Sequence, residues 1–130
     1  MKILKSIISV LLVCLSVFCL SSCKDKKITY TQITPKEAKE IMDTEKDFIV
    51  VDARTPEEFE SGHIKNAIVL QEENVQDLAP QMFPSKDKLI LVYCRSGNRS
   101  KKVAEALANL GYTNVKEFGG IIDWPYETVK

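Results

Sequence analysis

The run Cys94-Arg95-Ser96-Gly97-Asn98-Arg99-Ser100 concentrates a thiol, two guanidinium groups and small polar residues in one short stretch. It lies between Leu89–Tyr93, an apolar run that reads as a buried strand, and an amphipathic helix expected from about Ser100 to Leu110. Val103, Leu107 and Leu110 share one face of that helix, and Gly111 stops it. A strand that gives way to Cys, four residues and Arg, and then to a helix, places the thiol at the floor of a curled loop with inward-pointing amides. Such a nest, from the N–H groups of Ser96 to Ser100 and the helix N-terminus, favours thiolate over thiol and makes Cys94 the expected nucleophile. Gly97 permits backbone angles closed to other residues, and Asn98 tolerates left-handed geometry, as a tight loop requires. Arg95 and Arg99 offer planar donors suited to a sulfonate or another oxyanion. A buried, inert cysteine has no need of such neighbours.

These residues need a sheet to hold them. Thr34-Pro35-Lys36-Glu37 combines an N-cap, a proline at the first helical position and a capping-box glutamate, predicting a helix that runs to about Asp43. Phe48–Val51 is a continuous, β-branched run that reads as a buried parallel strand ending at Asp52. A second capping box, Thr55-Pro56-Glu57-Glu58, starts a short helix that Gly62 terminates. Ala67–Leu70 is the next expected strand, and Asn74–Met82 a helix stopped by Pro84. Val115–Phe118 is the last strand, followed by Gly119-Gly120 and a turn to Trp124-Pro125. The alternation predicts an α/β domain with a mainly parallel sheet, in which ligands gather at the carboxyl ends of the strands. Cys94 sits at such an end.

A length of 130 residues allows one ordinary domain. Hydrophobic residues at 45% and charged residues at 28% exclude disorder, collagen and coiled coil as classes. The first segment stands apart from that domain. Met1–Lys5 carries two lysines, and Ile7–Leu20 is an apolar run of the length of a signal-peptide core, too short for a full membrane span. It ends in Leu20-Ser21-Ser22-Cys23, which resembles the bacterial lipobox, with cleavage before a cysteine that becomes diacylated. The expected organisation is a signal peptide over 1–22, lipidated Cys23 and a lysine-rich spacer over 23–27, and one domain over 28–130. More than one acyl chain gives stable anchoring, so the domain is expected on a membrane of the bacterial cell envelope, periplasmic or on an outer face. Loss of Lys2 and Lys5 from the 18 basic residues leaves 16 against 18 acidic ones, a formal charge of −2, and nucleic acid is not an expected partner. Cys14 and Cys19 leave with the signal and Cys23 is consumed by lipid, so Cys94 is the one thiol expected to stay free.

The stretch Cys94–Ser100 resembles the active-site loop of rhodaneses, in the form found in small single-domain members. Asp52-Ala53-Arg54, Glu58-Phe59 and Gly62-His63-Ile64 match the upstream signature of that family, and Phe118-Gly119-Gly120 with Trp124 matches its C-terminal one. Together they span about Ile28 to Tyr126. Asn66 stands where the family commonly has Gly, and a left-handed turn tolerates Asn at modest cost. The resemblance implies a rhodanese-like three-layer α/β domain, its parallel sheet of about five strands flanked by helices. It also implies a two-step reaction, in which the Cys94 thiolate takes the outer sulfur of thiosulfate or a similar donor, releases sulfite, and passes the persulfide sulfur to cyanide, a thiol or another protein. Arg95, Ser96, Gly97, Asn98, Arg99 and Ser100 would then bind the donor, with the arginines orienting the leaving sulfite and the amides stabilising the added sulfur. No metal or organic cofactor is required, and a monomer is expected.

Other residues receive quieter readings. His63, the single histidine, follows the helix-ending Gly62 far from the nucleophile and is assigned to a turn or packing role. Asp52 and Arg54 are expected to pair with each other or with loop backbone, Glu58-Phe59 to pack a helix, and Trp124 to pack the domain or wall the mouth of the loop. Lys101-Lys102 either steers anions or is simply solvated. Cysteine phosphatases and arsenate reductases also use a Cys–loop–Arg cradle, but theirs is one residue longer and encircles a tetrahedral phosphate. A non-catalytic rhodanese-like binding module is a further alternative, against which the retained Cys94 speaks. A thiol reductase lacks its Cys-x-x-Cys partner here.

Overall fold

The structure, a computed structural model, describes residues 29–130. The expected signal segment, lipidated Cys23 and spacer lie outside these residues, and no helix among those described is long and apolar enough to cross a membrane. In chain order the elements are β1 (Thr31–Gln32), α1 (Pro35–Thr44), β2 (Phe48–Asp52), α2 (Pro56–Ser61), β3 (Ile68–Val69), α3 (Val75–Met82), β4 (Leu89–Cys94), α4 (Asn98–Asn109) and β5 (Val115–Gly120). Single 3₁₀ turns at Glu72–Asn74 and Ile121–Asp123 precede α3 and follow β5.

The strands form one five-stranded sheet in the order β1-β5-β4-β2-β3, every neighbouring pair parallel. This is the mainly parallel α/β architecture that the alternation of strand and helix signals requires. Residues alternate across β4: Ile90, Val92 and Cys94 join a core with Val51, Val103, Leu107 and Tyr112, and Leu91 and Tyr93 join a second core with Ala38, Val50, Ile64 and Phe118. Both faces are covered, which is why β2 and β4 read as unbroken apolar runs.

The helix starts follow their caps. Thr34 Oγ1 accepts from the Glu37 amide at 3.1 Å, and the Glu37 carboxylate accepts from the Thr34 amide at 2.7 Å, a full capping box. At Thr55 only half of the expected box forms. Its hydroxyl caps the Glu58 amide at 3.2 Å, but the Glu58 carboxylate is drawn to a cation on another element. Several boundaries also move: β3 is two residues long, α3 begins at Val75 and contains Pro80, β4 includes Cys94, and β5 runs on to Gly120. Helix α4 begins at Asn98, because Gly97 takes the left-handed conformation (φ 102°) and serves as its N-cap. Asn98 is therefore helical, and the one non-glycine with positive φ among the described residues is Asn66 (φ 66°).

Candidate active site

Cys94 ends the central strand of the sheet, and its neighbour β5 carries a register shift at the same level. Val92 pairs with Glu117, yet Cys94 pairs with Gly120, so β5 fits an extra residue in and bends away. Gly119 takes up the bend in the left-handed region at φ 88°. Gly120 allows the close approach, since a Cβ there would lie 2.0 Å from the Arg95 carbonyl oxygen and 2.6 Å from the Ser96 Cα. The loop after Cys94 rests against this glycine pair, and the Ile122 amide donates to the Arg95 carbonyl at 3.3 Å.

The sulfur lies inside the loop. The Gly97 amide donates to Cys94 Sγ at 3.0 Å, and the Ser100 hydroxyl oxygen is 3.3 Å away. Burial pushes the thiol pKa up, but the Ser100 hydroxyl and the Ser100, Gly97 and Ser96 amides together outweigh it and hold it below the ordinary thiol value. Cys94 is only 1% exposed, whereas Arg95, Ser96 and Asn98 form an exposed polar rim above it. The arrangement suits an anionic sulfur on the floor, with access from the rim.

The two arginines are placed differently. Arg95 is exposed, but Arg99 donates from Nη1 and Nη2 to Glu58 Oε1 and Oε2 at 2.7 and 2.9 Å. Two of its five N–H groups are thereby spent within the protein, and Glu58, read from sequence as helix packing, is an ion-pair partner of the loop. Behind the loop, Arg54 grips Asp52 through Nε at 3.0 Å and Nη2 at 2.8 Å, and Nη2 also reaches the Gly62 carbonyl at 2.7 Å. The Tyr93 hydroxyl donates to Asp52 at 2.6 Å and accepts from the Ile64 amide at 3.1 Å. This network fastens the turn after α2 to the end of β4. His63 belongs to that turn: its ring stacks on Phe59 at 3.7 Å, Nδ1 lies 2.9 Å from the Phe59 carbonyl, and its backbone pairs with Val129. Trp124 packs between Phe118 and Tyr126. A groove of about 710 Å³ between α1 and the C-terminal segment is lined by none of the loop residues.

One buried group beside the loop was missed from sequence. Glu117 is 2% exposed; its Oε1 accepts from the Ser100 hydroxyl at 2.7 Å and from the Gly119 amide at 2.8 Å. Parity along β5 could have found it, since it shares the inward face of Val115. Among the described residues no His, Cys, Asp and Glu side chains group as a metal site.

The model of the rhodanese-like domain family matches residues 34–125, and the chain belongs to that family. Thiosulfate sulfurtransferase PspE of Escherichia coli is 32% identical to it over 80 residues, 62% of this chain and 77% of the relative. The adenylyltransferase and sulfurtransferase UBA4 of Candida albicans is 34% identical over 72% of this chain, which spans only 23% of that longer protein. The crystal structure of a rhodanese-like domain protein from Staphylococcus aureus is similar with a TM-score of 0.65 and 33% identity, over 75% of this chain and 93% of the other. Two of these relatives, PspE and UBA4, are sulfurtransferases, which supports sulfurtransferase chemistry at the level of the family.

Proposed function

We propose that this protein is a sulfurtransferase that moves sulfane sulfur from thiosulfate or a similar donor to a thiol or cyanide through a persulfide on Cys94. The observation that carries the reading is the place of Cys94 Sγ at the end of β4 on the floor of its loop, where the Gly97 amide donates to it at 3.0 Å and the Ser100 hydroxyl oxygen lies 3.3 Å away. In the first step the thiolate bonds to the outer sulfur of thiosulfate, the bond to the sulfonate sulfur breaks, and its electron pair leaves with sulfite. The outer sulfur remains on Cys94 as a persulfide anion, stabilised by the loop amides. In the second step the acceptor bonds to that sulfur and the electron pair returns to Cys94. Arg95 and the unspent N–H groups of Arg99 are assigned to the sulfite oxygens, and Ser96, Gly97, Asn98 and Ser100 complete the donor site. The PspE likeness supports thiosulfate as a donor. A loop shorter than a phosphatase cradle crowds a phosphoryl group and disfavours that rival.

The wider setting is part of the same proposal. Residues 1–22 are a signal peptide, Cys23 carries the lipid, and a monomeric domain is held by the spacer on a membrane of the cell envelope. Its support is the order of lysines, apolar core, small residues and cysteine in the sequence.

Intact-mass measurement after incubation with thiosulfate tests the chemistry. The wild type is expected to gain one sulfur atom and Cys94→Ser none. Failure of the wild type to gain sulfur would leave a binding module, and turnover of an aryl phosphate would favour a phosphatase.

A further inference from the structure

Glu117 has no part in the sulfur transfer described above, yet only a hydroxyl separates its carboxylate from the reacting sulfur. The Ser100 hydroxyl and the Gly119 amide donate to its Oε1, and the Gln32 side-chain amide donates to Oε2 at 3.4 Å. Three donors converge on this carboxylate, and among the described residues no cation is hydrogen-bonded to it. At 2% exposure, a carboxylate here acts strongly on its neighbours.

Ser100 has one hydroxyl proton and more than one acceptor for it. Donated to Cys94 Sγ, at 3.3 Å, it stabilises a thiolate; donated to Glu117, at 2.7 Å, it turns the oxygen lone pairs toward Sγ, which suits a thiol S–H and opposes a thiolate. The shorter, charge-assisted bond to Glu117 is the stronger competitor. The Gly119 carbonyl, at 3.4 Å, is a weaker third acceptor.

We propose that Glu117 is a positioning residue that competes with Cys94 Sγ for the Ser100 hydroxyl proton, weakening without abolishing the support that hydroxyl gives the thiolate, and so shifts the balance toward the uncharged forms of that sulfur, thiol and loaded persulfide. The inference rests on the sulfurtransferase reading and deepens it. In the persulfide, Sγ is bonded to Cβ and to the outer sulfur and carries no formal charge, which has moved outward. In discharge the acceptor bonds to the outer sulfur, the sulfur–sulfur bond breaks, and the electron pair returns to Sγ as the thiolate that Glu117 disfavours. The loaded enzyme therefore keeps its sulfur until a strong thiophile arrives. Two other titratable groups face this cluster. Tyr30, ahead of β1, has its phenol held above the ordinary value by burial and then by Glu117 and Glu105, and Arg99, on α4, interacts with the Cys94 charge. Neither hydrogen-bonds Ser100 among the described residues.

Glu117→Gln tests this in the full-length protein, because the amide oxygen still accepts from Ser100 and Gly119 and the Gln32 amide can turn over to meet the new NH₂ group. Two quantities are read: the ultraviolet absorbance of the thiolate against pH, and the rate at which persulfide-loaded protein gives sulfur to cyanide. The thiolate midpoint is expected to fall by about half to one pH unit, and discharge to accelerate roughly three- to tenfold. Both changes should vanish in a Ser100→Ala background. An unchanged or raised midpoint overturns the proposal, as does an effect that persists without Ser100. Should Glu117→Gln not fold, Glu117→Asp withdraws the carboxylate from Ser100 and must shift the midpoint in the same direction, a wild-type midpoint being fatal. If the wild type takes no sulfur from thiosulfate, the sulfurtransferase reading fails, while the titration still decides the role of Glu117.

Discussion

The guanidinium of Arg99 lies fork to fork on the carboxylate of Glu58, at 2.7 and 2.9 Å, and ties the Cys94 loop to α2 across 41 residues of chain. The Arg99 hydrogen bonds are the largest influence on Glu58 and hold its pKa down to about 2, against burial, the second influence, which acts to raise it. A carboxylate depressed in the folded state contributes stability that is fully present above its unfolded value and is lost as pH falls through its folded value. Wild type should therefore lose the contribution between about pH 4.5 and 2, and Glu58→Gln should show a flatter acid limb in denaturant melts. Both side chains are partly exposed, so solvent screening limits the difference to about 1 kcal/mol. Equal acid limbs would show that the pair adds nothing to folding.

The same pair competes with substrate. Glu58→Gln releases the Arg99 fork to a dianionic donor and should lower KM for thiosulfate several-fold, whereas Arg99→Ala should raise it by roughly tenfold, the value of one charge-assisted contact. Opposite signs in steady-state assays mark Arg99 as a donor-binding group. If both variants raise KM alike, Arg99 only clasps the loop to α2.

Much of this was legible in the sequence because it depends on local signals. The apolar runs Phe48–Val51 and Leu89–Tyr93 gave the two central strands, and the caps at Thr34 and Thr55 gave the helix starts within a residue. Cys94 announced its loop through its neighbours. The partners of charged side chains were not legible, because they depend on which distant elements the sheet brings together. Glu58 looks like the second half of a capping box until α4 places Arg99 beside it, and Glu117 draws no reading from sequence because the fold alone brings it within 2.7 Å of the Ser100 hydroxyl. The helix start slid from Ser100 to Asn98 for a similar reason, as Gly97 absorbs the whole turn at positive φ.

Gly120 is expected to tolerate no side chain. A methyl group there would meet backbone atoms of Arg95 and Ser96 at 2.0 to 2.6 Å, and backbone cannot swing aside as a flexible side chain can. Gly120→Ala should displace the loop, abolish persulfide formation and destabilise the fold by about 1–3 kcal/mol. A variant that loads sulfur at the wild-type rate, measured by mass, would contradict the packing described for β5 and the loop.

Tyr93 offers a contrast, because it supports the site without touching the sulfur. Its hydroxyl satisfies the buried Ile64 amide and donates to Asp52. Tyr93→Phe orphans that amide and removes a donor from Asp52, at a cost of about 1–3 kcal/mol. Thermal melts should show a midpoint lower by several degrees. Activity per folded molecule should remain within about twofold, since Cys94 keeps every contact. A large loss of activity with an unchanged melt would place Tyr93 in the chemistry.

The rate of sulfur loading should report the ionisation of Cys94 directly, because the thiolate alone attacks the donor. Burial acts to raise the thiol pKa, and the Ser100 hydroxyl with three amides more than offsets it, so loading should rise with pH and reach half its maximum below the ordinary thiol value of 9.0. Above that midpoint the sulfur is already ionised and the rate should level off. Ser100→Ala removes the largest of the favourable contacts and leaves burial in place, so its midpoint must move to higher pH, with a plateau still present. Stopped-flow mixing with thiosulfate at a series of pH values measures both curves. A wild-type midpoint at or above that of a free thiol would mean that the amides around Cys94 do not stabilise negative charge, and the loop would then lack the property on which sulfur transfer depends.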